Sequence, residues 1–377
     1  MRVIIAAGGT AGHINPGLAI AQKIQAMQPD AEICFVGRRE GMEFELVTKA
    51  GYRFYHMEVT GFQRRLSLNN IKRNIVTLVN LASADRKAGK IIEEVKPDLV
   101  IGTGGYVSGP IVRKAARMGI RTAIHEQNAF RGVTNKLLSR YVDNVFLATD
   151  KARQYMAHPE RCIETGNPVR AEIRTANMAE SRNELGIDDD QMVILSFGGS
   201  LGAARLNDAM KSLVKHNVGR DDIVHYHVVG RYDEGDFVRY LEKEGIPQGE
   251  GIQVFEYLYD IPKYMAAADL IISRCGALTI AEIGCMGKAS ILIPSPNVAE
   301  NHQFYNGKVL SDIGAGILIE EKDLNEGSIT SAFDSLYNDR EKLARMGEKA
   351  KTIHKADCLD IIYTTLFPEQ QTGESLG

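Results

Sequence analysis

The sequence predicts an α/β protein of two Rossmann-like domains, each built on a parallel sheet. Three observations carry that expectation. Short β-branched runs alternate with longer helical stretches along the chain, the pattern of strand–helix–strand units. The rhythm breaks at a turn-rich stretch, Gly166-Asn167-Pro168-Val169-Arg170, and then restarts. The two series also open alike, with an apolar strand, a Gly-Gly-hydroxyl turn, a further glycine and a helical pattern. A length of 377 residues suits two domains at about 150 residues each.

In the first series, strands are expected at Val3–Ala7, Glu32–Val36, Leu99–Gly102, Thr122–His125 and Asn144–Leu147. In the second they are expected at Met192–Phe197, Ile223–Val229, Ile252–Phe255, Leu270–Ser273 and Ala289–Ile293. The junction separates a domain over 1–167 from one that begins at 168. The ending after Phe367 is short and polar, and is expected to fray.

Composition bounds the function. Hydrophobic residues make up 44% and charged residues 25%, the balance of a soluble globular protein, which excludes a disordered, fibrous or disulfide-stapled chain. No apolar run reaches about 18 residues, so no membrane span is expected. The N-terminus enters a strand at once, so no signal peptide is expected. Five scattered cysteines without a CxxC pair fit a reducing cytoplasm, argue against a zinc site and read as buried thiols.

The net charge of −3 hides a split. Residues 1–167 carry 24 Lys and Arg against 15 Asp and Glu, so the second half is strongly acidic. A basic half suits nucleic acid, anionic lipid or a phosphorylated substrate, and charge alone does not choose. Much of the excess lies between Gly61 and Lys90, where Arg64, Arg65, Lys72, Arg73, Arg86, Lys87 and Lys90 face only Asp85. Ile71, Ile75, Leu78, Val79 and Ala82 read as a helix face packing on the sheet. The loop from Phe62 to Leu66 and Leu68, with its flanking arginines, suits an anionic membrane surface.

The glycine turns carry the chemistry. Gly8-Gly9-Thr10-Ala11-Gly12-His13 and Gly198-Gly199-Ser200-Leu201-Gly202-Ala203 both follow a first strand. Glycine turns before helices expose amides that can cradle phosphate, aided by the helix dipole. Neither fits GxGxxG, and Gly37-Arg38-Arg39 stands where a dinucleotide site wants an acid. An arginine pair there keeps an NADP oxidoreductase open. His13, at a helix N-terminus, is the candidate general base, since imidazole titrates near neutrality and a positive helix end favours its neutral form.

Gly102-Thr103-Gly104-Gly105-Tyr106-Val107-Ser108-Gly109-Pro110 forms another strand-to-helix turn in the first domain. His125-Glu126-Gln127-Asn128 leaves a strand as four successive polar residues, which is expensive unless something uses them. In the second half, Leu270–Ser273 ends in Arg274-Cys275-Gly276-Ala277, with a helix from about Leu278-Thr279. Its amides and Arg274 could hold a diphosphate, and Glu282 could take both hydroxyls of a ribose. Glu300-Asn301-His302-Gln303 follows Pro294-Ser295-Pro296 and could read sugar hydroxyls. Asp188-Asp189-Asp190 reads as a solvated turn rather than a metal motif, and His225 and His227 share a strand face without a third ligand.

Seven of these features occur in a fixed order: Gly8–His13 with Asn15-Pro16-Gly17, Gly102–Pro110, His125–Asn128, Gly166–Arg170, Gly198–Ala203, Arg274–Glu282 and Asn301-His302-Gln303. Together they closely resemble the MurG family, bacterial N-acetylglucosaminyltransferases that make lipid II. The resemblance runs from Val3 to about residue 350. It implies a GT-B fold, two Rossmann-like domains facing a deep cleft, with domains over 1–167 and 168–348 and a helix over 349–368 returning to the first. It implies an inverting transfer of GlcNAc from UDP-GlcNAc to the 4-hydroxyl of the MurNAc of lipid I, peripherally, at the cytoplasmic face of the cell membrane. No cofactor, metal or nucleic-acid partner is implied.

Carried over by position, His13 is the base. Thr10, Gly12, Arg170, Ser200, Arg274, Leu278, Thr279, Glu282, His302 and Gln303 belong with the donor, with Thr10 bordering the acceptor as well. Tyr106, His125 and Asn128 belong to the acceptor, and Phe62, Arg64, Arg65, Leu66, Lys72 and Arg73 face the membrane. Three positions depart from the family pattern. Leu201 stands where a polar residue is common, His302-Gln303 replaces a Gln-Gln pair in some relatives, and Cys275 replaces Ser or Ala, suggesting sensitivity to thiol reagents. A membrane adaptor that binds the nucleotide sugar without turnover stays open beside the transferase.

Overall fold

Seven parallel strands build the first sheet and six the second. The computed structural model describes residues 1–57, 83–128, 132–249, 251–298 and 301–368. The chain divides into two units, one of Met1–Arg170 with the chain from Lys355 onward, the other of Ala171–His354. Phe62, Arg64, Arg65, Leu66, Lys72 and Arg73 lie outside the described residues.

In the first unit the strands are β1 (Arg2–Ala7), β2 (Glu32–Gly37), β3 (Arg53–His56), β4 (Leu99–Gly104), β5 (Arg121–Glu126), β6 (Asn144–Leu147) and β7 (Cys162–Glu164). Their order is β3-β2-β1-β4-β5-β6-β7. Successive residues of a strand point to opposite faces, and here both faces are covered. Val3, Ile5, Ile33, Phe35, Leu99 and Ile101 pack into one apolar layer, while Ile4, Ala6, Cys34, Val36 and Val100 pack into the other. That double burial is why these strands read as continuous apolar runs.

The first of those layers holds helix Ala11–Met27 and helix Cys358–Leu366. Arg121 donates to the carbonyls of Leu366 (2.6 Å) and Thr365 (2.9 Å), capping the C-terminal end of the latter helix. Lys23 pairs with Asp360 at 2.6 Å and Gln28 Nε2 donates to the Tyr363 hydroxyl. The expected helix over 349–368 is in fact two: Arg340–Lys351 belongs to the second unit, and Cys358–Leu366 to the first.

The second unit contains β8 (Met192–Phe197), β9 (Ile223–Val228), β10 (Ile252–Phe255), β11 (Leu270–Ser273), β12 (Ala289–Leu292) and β13 (Gly316–Leu318). The order is β10-β9-β8-β11-β12-β13, the same winding as the first sheet. Beneath it, Ser196 Oγ lies 2.7 Å from both His225 Nε2 and His227 Nδ1, one bond donated and one accepted. Burial pushes His225 down to about 3 and His227 well below the usual imidazole range. These histidines are neutral core groups that share a serine.

All ten expected strands are present within two residues at either end. The three missed strands, β3, β7 and β13, are edges of three or four residues. In β3, Arg53 and His56 are exposed, so the apolar signal of a central strand is absent.

Candidate active site

In both sheets the strand order reverses between the first strand and the one after the next two, at β1/β4 and at β8/β11. Ligands of doubly wound sheets bind beyond the carboxyl ends of the strands at such points. The turns singled out in the sequence follow β1, β4, β8 and β11. The helices that open there, Ala11–Met27, Ala204–His216 and Ala277–Met286, have no side-chain cap and no acid in the first turn. By contrast, helices starting after Asn177, Asn325 and Asp339 are capped by those side chains and carry an acid in the first turn. The helix ends at the switch points thus keep their electropositive character toward anions.

In the first unit, Thr10 precedes the first helix, and its carbonyl accepts from the His13 amide at 3.0 Å. His13 Nδ1 lies 3.1 Å from the Gly8 carbonyl. A carbonyl only accepts, so Nδ1 carries the proton and the neutral ring has its lone pair on Nε2. Thr103 Oγ1 donates to the His13 carbonyl at 2.7 Å, tying the turn after β1 to β4. Gly104, with φ of +117°, lies against the imidazole, and any Cβ there would strike the ring. A Cβ at Gly105 would likewise strike the Gly8 carbonyl. The second glycine cluster is therefore the bed on which His13 rests. Tyr106, next in the chain, is 61% exposed, while Thr10 is exposed and Gly12 half-buried.

The polar run after β5 is largely consumed inside the protein. His125 is fully buried and its Nε2 donates to the Gly166 carbonyl at 3.0 Å. Burial pushes its imidazole down to about 4, against the opposing pull of that hydrogen bond. Gln127 Nε2 donates to Thr103 O at 2.6 Å, and Asn167 Nδ2 to Gln127 O at 3.1 Å. Glu126, also buried, accepts from the Asn128 amide (3.1 Å), Asn128 Nδ2 (3.3 Å), the Gly132 amide (2.8 Å) and Asn135 Nδ2 (3.0 Å). Asn128 alone of the four reaches partial exposure. His125, expected on the acceptor side, has no exposed surface, and its ring laces β5 to the Gly166 turn.

In the second unit, Ser200 is half-buried in the turn after β8 and Leu201 is 46% exposed. Arg274 leaves β11 with its guanidinium directed to the next two strands. It donates to Ile293 O (3.3 Å) and Pro294 O (3.2 Å) and forms an ion pair with Glu321. Leu278 and Glu282 are buried on helix Ala277–Met286, with Thr279 half-buried. His302 and Gln303 open helix His302–Ser311, and Gln303 Oε1 accepts from the Ser295 amide at 2.8 Å, fixing the loop after β12. A cavity of about 370 Å³ beside them is lined by Arg205, Pro294, Pro296, Asn301, Phe304 and Glu321, among others.

The glycosyltransferase family 28 N-terminal domain matches residues 3–147, and its C-terminal domain matches residues 193–361. A relative from Acetivibrio thermocellus, a UDP-N-acetylglucosamine–N-acetylmuramyl-(pentapeptide) pyrophosphoryl-undecaprenol N-acetylglucosamine transferase, is 41% identical over 96% of each chain. A crystal structure of Acinetobacter baumannii MurG is 28% identical, with a TM-score of 0.72 over 97% of this chain and 98% of that one. The chain belongs to the MurG family. The fold is GT-B, and it is shared with a UDP-GlcNAc 2-epimerase from Neisseria meningitidis at 15% identity and a TM-score of 0.67, covering 98% and 100% of the chains.

Two MurG-family positions behave otherwise than the sequence suggested. Cys275, expected to be sensitive to thiol reagents, is fully buried, and burial pushes its thiol up to about 12. Arg274, expected to offer its charge to a diphosphate, also pairs with Glu321. Neither Glu321 nor Glu43, a buried carboxylate beneath the first glycine turn, was singled out in the sequence. Each reaches its partner across the sheet, and no local motif marks either.

Proposed function

We propose that this chain transfers GlcNAc from UDP-GlcNAc to the 4-hydroxyl of the MurNAc of lipid I, with inversion, to make lipid II. The observation that supports the reading most is identity at about 40% over 96% of the chain with relatives that carry this activity in their names. The turns beyond β8 and β11 would hold the diphosphate on uncapped helix ends. In the second unit, Ser200, Arg274, Leu278, Thr279 and Glu282 would bind the donor, with Glu282 on the ribose and His302 and Gln303 on the sugar; Thr10, Gly12 and Arg170 of the first unit are also assigned to the donor. Tyr106 and Asn128 meet the acceptor.

The acceptor oxygen forms a bond to the anomeric carbon, the bond to the diphosphate oxygen breaks, and the electron pair leaves with UDP. The hydroxyl proton passes to His13 Nε2. Amide dipoles and Arg274 stabilise the charge that develops on UDP.

Membrane contact at the cytoplasmic face belongs to this reading. No described helix is long and apolar enough to cross a membrane. Val133, Leu137 and Tyr141, four residues apart, are 58%, 53% and 43% exposed, with Lys136 and Arg140 exposed between them. Arg86, Lys87 and Lys90 are also exposed. Basic residues beside exposed apolar ones suit an anionic lipid surface.

UDP release from UDP-GlcNAc, with and without a lipid I analogue, tests the proposal. Acceptor-dependent release supports the transferase, and a His13→Ala variant then falls by 10²-fold or more. Binding without release favours a nucleotide-sugar adaptor, and reduction of a nicotinamide cofactor would favour an oxidoreductase.

A further inference from the structure

We propose that Glu43 is a positioning residue for His13 and acts through the Gly8–Gly9 peptide. The inference rests on the reading of His13 as the base. The Gly8 carbonyl and the Gly9 amide are the two ends of one peptide unit. Glu43 Oε2 accepts from the Gly9 amide at 3.3 Å, and the Gly8 carbonyl accepts from His13 Nδ1 at 3.1 Å. Carboxylate, peptide and imidazole form one chain of hydrogen bonds. Such chains polarise one another in sequence, so a negative charge at the amide end makes the carbonyl end a stronger acceptor.

The surroundings of Glu43 are shaped to hold a carboxylate there. Its side chain opens helix Met42–Lys49 and is 1% exposed. Its other oxygen, Oε1, accepts from the Arg38 amide at 2.9 Å, joining the turn after β2 to the turn after β1. Glycines leave the room it needs. A Cβ at Gly37 would sit 2.6 Å from Glu43 Cγ, one at Gly8 would sit 3.0 Å from Oε1, and one at Gly41 would strike the carboxylate. No ion pair to a described cation accompanies these bonds. A neutral Asn, Gln or Ser could accept from backbone amides without the desolvation cost of a charge. What only the charge adds is its effect on the peptide, and so on His13.

The consequence for His13 is specific. The chain holds the proton on Nδ1, leaving the lone pair on Nε2, and fixes the ring plane against Gly104. When Nε2 takes the acceptor proton, Nδ1–H stays on the Gly8 carbonyl and the ring becomes cationic. Glu43 opposes that charge through the peptide. This is the role of an orienting carboxylate behind a catalytic histidine, with a peptide inserted between them.

The test uses the full chain labelled with ¹⁵N-histidine, with the His13 signals assigned by their loss in His13→Gln. Long-range ¹H–¹⁵N correlations of the wild-type chain report the Nδ1–H tautomer. In Glu43→Gln the His13 nitrogens shift toward a mixture of tautomers. In the same variant kcat falls on the order of tenfold, while KM for UDP-GlcNAc is unchanged. An Nε2–H tautomer in the wild-type chain overturns the proposal even if the variant does not fold. A fall in kcat with unchanged His13 signals also overturns it, since Glu43 would then act on the turn and not on the ring. Full turnover in His13→Ala overturns the base reading instead, and with it the catalytic consequence of Glu43, whatever the tautomer.

Discussion

Arg274 and Glu321 form an ion pair beyond the carboxyl ends of β11 and β13, with side-chain exposures of only 12% and 17%. The arginine expected to meet a diphosphate thus also has a carboxylate partner within its own domain. Removing one partner of such a pair strands the other in a poorly solvated site. Arg274→Ala is expected to destabilise the second unit by about 3 kcal/mol and to raise KM for UDP-GlcNAc on the order of tenfold. Glu321→Gln keeps the bonds to the Ile293 and Pro294 carbonyls and releases the charge, so KM for UDP-GlcNAc falls. Urea denaturation and steady-state kinetics read both. A raised KM in Glu321→Gln would show that the pair is a strut and not a competitor of the diphosphate.

Gly104→Ala separates activity from affinity. The added methyl meets the His13 ring at a backbone angle that side chains avoid, which costs about 1–2 kcal/mol in strain. The imidazole must turn away, so kcat drops by about two orders of magnitude, the scale of losing the base. KM for UDP-GlcNAc is expected to stay within twofold, because Arg274, Leu278, Thr279 and Glu282 of the second unit are untouched. Parallel changes in kcat and KM would mean that Gly104 serves the donor as well.

Acid is expected to loosen the fold before carboxylates begin to titrate. His125 and His225, held at about 4 and about 3 by burial, stay neutral in the folded chain at pH 5. Unfolded, they bind protons below about 6.5. Over that window the unfolded state therefore binds more protons, and stability falls as pH falls. Each such histidine removes about 2 kcal/mol between pH 7 and pH 5. Thermal midpoints across that range check the slope, which His225→Asn should flatten. A flat profile in the wild-type chain would mean that these rings are protonated in the fold.

Thiol chemistry gives a direct check on burial. Cys34, Cys162, Cys275 and Cys358 are buried, and Cys285 is half-buried with its thiol pushed up to about 11 by burial. Iodoacetamide at pH 7.5 is expected to alkylate only Cys285, and slowly, with all five reacting in urea. Mass spectrometry of peptides locates the adducts. Rapid native labelling of Cys275 would restore the reagent-sensitive donor turn that the sequence suggested.

Much of this was legible in the chain. Central strands of parallel sheets are buried on both faces, so Val3–Ala7 and Met192–Phe197 announce themselves as apolar runs ending in glycine. Edge strands such as Cys162–Glu164 are too short and too mixed to do so. The glycine turns could be found because a backbone shape leaves a mark on the residues that form it. The Gly166 carbonyl on His125 was not legible, because a polar residue leaving a strand looks alike whether it faces a ligand or a neighbouring carbonyl.

The local pattern of the chain is enough for the class of fold, the two-fold repetition of its switch points and the residue types gathered there. Those follow from local rules of strand burial, turn geometry and helix starts. Partnership emerges on folding: Glu43 under the Gly8–Gly9 peptide, Glu321 on Arg274, Gly104 beneath His13 and Gly166 on His125. Each of these pairs joins residues that are distant in the chain or separated by a turn. The physical reason is that a hydrogen bond or ion pair depends on where two groups meet in space, and local periodicity carries no record of that meeting.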